Sequence, residues 1–224
     1  MNKLAIFVEG YTEAAFIKRL IEEIAGQNHV LIEHQEMRGG SASPTSIRII
    51  KAAKHSTGQK YYVLIVDCGS DDSVKTRIRD QHQNLSASGY SRVIGIRDVR
   101  PQIAYADIPR LEANLPRYIS TSLIPVKFIL AIMETEAWFL AESTHFSRID
   151  PAITISAIKS NLGFDPENDS MELRPNPAVD LNDCYHIGGK SYKKKQTRID
   201  LTINGLYRVK RDKPRISRIH TNYL

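Results

Sequence analysis

Three times in this sequence a short apolar run ends in an acidic residue and gives way at once to a segment of helical spacing. Leu4 to Val8 ends at Glu9-Gly10, Tyr61 to Val66 ends at Asp67, and Val126 to Met133 ends at Glu134-Thr135-Glu136. Runs this short and this apolar read as strands covered on both faces, the condition of a parallel sheet flanked by helices. After the first run, Ala15, Phe16, Leu20, Ile21 and Ile24 recur at helical intervals, with Thr12 as N-cap. A polar helix from about Ser73 to Leu85 follows the second run, and a helix through Ala141 follows the third. Val93 to Ile96 adds a strand, and Val30 to Met37 adds a more polar one at an edge, broken by Arg38-Gly39-Gly40. Ser43-Pro44 reads as a helix start, the helix running to about His55, because proline at the first helical position gives up no useful donor. Strands alternating with helices define an α/β fold with a mainly parallel sheet.

The 224 residues divide on this reading into a core, 1–145, and an extension, 146–224. With 42% hydrophobic and 25% charged residues, the chain has the composition of a packed domain and not of a disordered one. The stretch from Asp165 to Cys184 holds Pro166, Pro175 and Pro177 among polar residues and reads as a loop or lid. Two cysteines cannot make a disulfide framework or a four-cysteine zinc site. No apolar run is long enough to span a bilayer and nothing reads as a signal peptide, so a cytoplasmic location is expected. The net charge of +6 is uneven: from His186 onward there are 11 Lys/Arg against 2 Asp/Glu. A basic tail on a slightly acidic body fits a polyanion partner, although a merely solvated tail has the same composition.

In open α/β sheets ligands bind beyond the carboxyl ends of the parallel strands. Glu9, Asp67, Glu134 and Glu136 would gather there. Clustered carboxylates repel one another unless a cation lies among them, and oxygen donors without a Cys or His cluster favour Mg²⁺ or Mn²⁺ over zinc. Each acid also has a plainer role, Glu9 opening a turn and Glu13, Asp71, Asp72, Glu134 and Glu136 complementing a helix dipole. Recurrence at three strand ends is what points to one shared metal site.

The same residues carry a family pattern. Val8-Glu9-Gly10-Tyr11-Thr12-Glu13 at a strand-to-helix turn, followed by Val63-Leu64-Ile65-Val66-Asp67, resembles the Toprim domain of topoisomerases, primases and nucleases of the overcoming-lysogenization-defect class. Met133-Glu134-Thr135-Glu136-Ala137-Trp138-Phe139-Leu140 is similar to a motif of small stand-alone Toprim-like proteins, often found beside ATPases in bacterial anti-phage defence operons. The resemblance covers about residues 1–145 and extends to the Tyr192-Lys193 region. It implies a Rossmann-like core and a two-metal hydrolysis of phosphodiester bonds. It assigns Glu9 to proton transfer or metal, Glu13 and Asp67 to metal, Glu134 or Glu136 to a second metal position, and Lys193 to transition-state charge. The family has two aspartates separated by one residue. Here Cys68 and Gly69 follow Asp67, so Asp71, Asp72 or Asp98 would have to supply the second.

Lys190, Tyr192, Lys193, Lys194 and Lys195, with Tyr185 and Tyr207 nearby, mix rings with cations as suits a nucleic-acid strand, although a solvated surface of snorkelling side chains has the same residues. Gly188-Gly189-Lys190-Ser191 lacks the spacing and the preceding strand of a P-loop. The expected function is a Mg²⁺- or Mn²⁺-dependent nuclease acting on DNA or RNA, with an ATPase partner implied by the resemblance. The alternative is a non-catalytic subunit that binds nucleic acid or regulates that ATPase. A homodimer is compatible with the class, though no heptad or apolar stripe demands one.

Overall fold

The computed structural model describes residues 1–40, 43–53, 57–99 and 102–192, and it divides into two compact units, Met1–Ala131 and Ile132–Leu224. In the first unit the strands are β1 (Asn2–Val8), β2 (Val30–Gly40), β3 (Ser43–Lys51), β4 (Tyr61–Asp67), β5 (Arg92–Asp98) and β6 (Val126–Ala131). They form one sheet in the order β3-β2-β4-β1-β5-β6, parallel throughout except for β3, which runs antiparallel to β2. The helices are α1 (Tyr11–Ala25), α2 (Asp71–Ala87) and α3 (Ile108–Asn114).

The register follows from the apolar runs. Ala5 pairs with Leu64 and Val93, and Phe7 with Val66 and Gly95, so these side chains share one face of the sheet. Val74, Ile78 and Leu85 of α2 close that face into a core. Burying each such side chain contributes about 1.5–3 kcal/mol. Gly95 sits under α2: a Cβ there would lie 2.7 Å from Ile78 Cδ1 and 2.8 Å from Phe128, so the helix reaches the sheet only because β5 carries no side chain at that point. On the opposite face Ile6 and Ile65 are completely buried, and α1 packs against β4 and β2 through Ala14, Phe16 and Ile17.

The helix expected from Ser43 does not form; the segment is the edge strand β3, paired from Gly40↔Ser43 to His34↔Lys51. Thr45, Ile47 and Ile49 are β-branched at alternate positions, a strand pattern, and Pro44 lacks only an N–H that an edge strand leaves unused. Arg77 of α2 ties the strand down, donating to Thr45 Oγ1 at 2.9 Å and to the Gly39 carbonyl.

The second unit holds α4 (Thr135–Ala141), α5 (Phe146–Ile149), α6 (Ile155–Leu162) and α7 (Pro177–Ile187). Its buried residues include Phe139, Leu140, Phe146, Ile153, Ile158 and Leu181. Thr154 caps α6 by accepting the Ala157 N–H at 3.1 Å. The boundary expected at 145 falls instead after Ala131, because α4 packs with α7. The expected lid is corrected too. Pro177 opens α7, where its missing N–H is harmless, and Leu181, Cys184 and Tyr185 bury one side of that helix. No helix among the described residues is long and apolar enough to cross a membrane.

Candidate functional site

The connection from β1 runs through α1 to β2, on one side, while that from β4 runs through α2 to β5, on the other. β1 and β4 are neighbours, so the chain leaves their carboxyl ends in opposite directions and a crevice opens between them. Glu9 follows β1 directly and Asp67 ends β4. Both are buried, at 8% and 3% exposure.

Asp67 lies in register with Val8 on one side and with Glu36 of β2 on the other. Two carboxylates side by side on one face repel. Arg38, two residues beyond Glu36 on the same face, resolves this. It donates to Asp67 Oδ1 at 2.9 Å and to Glu36 Oε1 at 2.6 Å. Arg48, opposite Glu36 on β3, donates to Glu36 Oε2 at 2.7 Å. The Gly69 N–H adds a bond to Asp67 Oδ1 at 3.0 Å. Gly69 has φ +84°, and a Cβ on it would meet the Arg38 guanidinium at 2.9 Å. A glycine is therefore needed both for the turn and for the arginine lying over it. His34, two residues before Glu36, is buried, and its Nε2 finds no hydrogen-bond partner among the described residues. Burial lowers its pKa against the pull of Asp67 and Glu36.

Glu9 accepts the backbone N–H of Asp98, which joins the ends of β1 and β5. Glu13 is buried in the first turn of α1 and lies over Gly10, where a Cβ would be 3.3 Å from its Oε2. That position complements the helix N-terminus. Asp71 is the first residue of α2, with Asp72 next. The first unit thus brings together Glu9, Glu13 and Asp67, with Asp98 contributing its backbone.

Glu134 and Glu136 belong to the second unit, at the start of α4. Glu136 is completely buried and accepts the Tyr192 hydroxyl at 2.7 Å. Tyr192, expected to stack on bases, is 6% exposed, its ring edge-on to Tyr185 at 6.2 Å. The pattern of a tyrosine beside lysines is the same whether its ring faces solvent or core, and here it faces the core. Tyr185 in turn packs near Phe146 and the completely buried His145. Burial pushes the His145 pKa down to about 4. Lys190 is exposed, 3.6 Å from Asp150. Lys193, Lys194 and Lys195 lie outside the described residues.

The oxygen donors of Glu9, Glu13 and Asp67 have the chemistry a hard divalent cation prefers. Among the described residues no three His, Cys, Asp or Glu side chains form a group able to hold a metal ion; the side chains of Asp71 and Asp72 lie outside the described residues. The positive charge at Asp67 is the Arg38 guanidinium. Glu36, Arg38 and Arg48 are the site residues that sequence reading missed. Glu36 and Arg38 share a face by their two-residue spacing, but their pairing with Asp67 depends on the strand order.

Cys68, beside the site, and Cys184 are both buried, and desolvation pushes each thiol up to about 12. Both are therefore expected to resist iodoacetamide in the native protein at mildly alkaline pH and to react after unfolding. Fast native labelling of Cys68, read by mass spectrometry, would contradict that burial.

These features define an α/β protein with a mainly parallel, Rossmann-like sheet and an ion-paired acidic edge at its switch point. No family model matches the chain, and no curated protein matches it. Among solved structures it is similar to the crystal structure of the gene lin2722 product from Listeria innocua, at 11% identity and a TM-score of 0.32. The match covers 57% of this chain and 48% of that one, so the chain spans about half of that protein's length. At this level the likeness bears on neither family nor function.

Proposed function

We propose that the chain is a Toprim-like nuclease that hydrolyses nucleic-acid phosphodiester bonds with Mg²⁺ or Mn²⁺, working beside an ATPase in anti-phage defence. The observation that carries the reading is the placing of Glu9 and Asp67 at the carboxyl ends of adjacent parallel strands, where the connections diverge. A scissile phosphate entering that crevice would meet Glu9, buried enough to exchange a proton in a site of low polarity. The described acids are compensated by Arg38 and by the Asp98 N–H, so the metal's place in this reading rests on the Toprim resemblance alone.

That same compensation favours a second reading, a non-catalytic subunit that binds nucleic acid or regulates a partner ATPase. Cleavage of labelled plasmid, single-stranded DNA and RNA, with Mg²⁺ or Mn²⁺ against EDTA, separates the two. Metal-dependent cleavage that falls at least about 100-fold in Glu9→Gln is the expected result, since glutamine keeps an oxygen for the Asp98 N–H but cannot exchange the proton. Full activity in that variant would remove Glu9 from the site. Binding without cleavage would establish the subunit.

A further inference from the structure

Around α2 of the first unit, three cations and one exposed ring come together. Lys75 of α2 donates to the Asn114 carbonyl at 2.8 Å, and Arg117 donates to the Asn114 side-chain oxygen at 2.9 Å. Asn114 thus holds both cations at one place. The Lys75 Nζ lies 5.8 Å from the centroid of the Tyr118 ring. Arg79, one turn beyond Lys75, is exposed, with Asp80 at 3.7 Å in an ion pair too open to neutralise much of its charge. Desolvation lowers the Lys75 pKa, and Arg79, Arg117 and Arg97, all of its own sign, lower it further.

Tyr118 is the outlier that gives this cluster a meaning. Among the described residues it alone has a positive φ without being glycine, at +66°, and it is 84% exposed. A tyrosine in the left-handed region bears backbone strain that glycine would not, and a ring that exposed buries little in return. The Lys75 ammonium lies against that ring and leaves most of it open to solvent.

We propose that Lys75, Arg79, Arg117 and Tyr118 form the docking surface for a single-stranded polynucleotide, with phosphates on the cations and an unpaired base on the exposed ring. The inference rests on the reading that nucleic acid is the substrate, and it moves the main contact from the basic tail to the sheet-bearing unit. A polyanion relieves the crowding of like charges, and a single strand supplies the base face that a duplex keeps stacked.

The test is fluorescence anisotropy of the full chain in EDTA, with labelled oligothymidylate, oligouridylate and a duplex, over a salt series. The wild type is expected to bind both single strands more tightly than the duplex. Lys75→Gln combined with Arg79→Gln is expected to make the salt slope shallower by about 0.7 for each phosphate that is no longer neutralised. Tyr118→Gly is expected to weaken binding about ten-fold with the slope unchanged. Its melting temperature should equal or exceed that of the wild type, because glycine suits the backbone there, and this separates weaker stacking from a damaged fold. Wild-type affinity and slope in both variants, with binding abolished on changing Lys193, Lys194 and Lys195 to Gln, would overturn the surface and leave the nucleic-acid reading standing. A preference for the duplex would overturn the role of Tyr118. Failure of the wild type to bind any of the three would overturn the surface and the reading together.

Discussion

Replacing Arg38 with alanine is expected to destabilise the protein by about 2 kcal/mol, a large share of the stability of an ordinary domain. The arginine bridges two carboxylates that the sheet register sets side by side, Asp67 at 2.9 Å and Glu36 at 2.6 Å. The Asp67 side chain is only 5% exposed, so removing its partner leaves a charge that water cannot reach easily. Arg48 would still hold Glu36, which keeps the loss below that of a fully buried pair. Lysine at position 38 is expected to recover only part of the loss, since one ammonium cannot reproduce the two-pronged contact. Urea unfolding of the three proteins checks this, and a midpoint in Arg38→Ala equal to that of the wild type would mean that the bridge contributes no more than a surface pair. The variant also probes the metal reading. If the acidic edge takes a divalent cation once the guanidinium is gone, Mg²⁺ should raise the melting temperature of Arg38→Ala more than that of the wild type.

Acid will weaken the second unit before most of its carboxylates titrate. His145 is completely buried among Phe146 and Tyr185, with Nδ1–H donated to the Glu142 carbonyl and Nε2 without a hydrogen-bond partner among the described residues. Its pKa falls from 6.5 to about 4 in the folded chain. Between those values the unfolded chain binds the proton and the folded chain does not, so stability falls as the pH drops from about 6.5 towards 4 and the loss levels off below. A shift of that size is worth about 3 kcal/mol. Hydrogen exchange of α4 and α7 across that range reads the effect where it arises. His145→Asn keeps a donor close to Nδ1 and removes the titration, so its exchange should be nearly independent of pH there. An equal pH dependence in the variant would assign the loss to other groups.

The strands β1, β4, β5 and β6 were legible because each is an apolar run whose length and punctuation leave few alternatives. β3 was not, because Pro44 after a serine suits the first turn of a helix and the start of an edge strand equally well, and only the alternation of Thr45, Ile47 and Ile49 favours the strand. α7 was hidden by Pro175 and Pro177, which look like loop markers until Pro177 is seen to open a helix. At the site, Glu9 and Asp67 could be read from their places at the ends of runs, and Glu13 from the Toprim resemblance. Arg38 could not, because its partner Asp67 lies on another strand and their meeting depends on β4 inserting between β2 and β1. The strain at Tyr118 leaves no mark in the residue types around it.

The position of β1 also bears on how this protein is made. Leu4 pairs with Val63 on one side and with Arg92 on the other, so β1 is central and both its neighbours are synthesised after it. At about 5–20 residues per second, the ribosome leaves β1 without its β4 partner for several seconds and without β5 for longer. A run as apolar as Leu4 to Val8, with two open edges, is then a target for any chaperone that shields nascent strands and a nucleus for misassembly where none is at hand. Translation speed between β1 and β5 is therefore a determinant of the yield of folded protein, although it leaves the final structure unchanged.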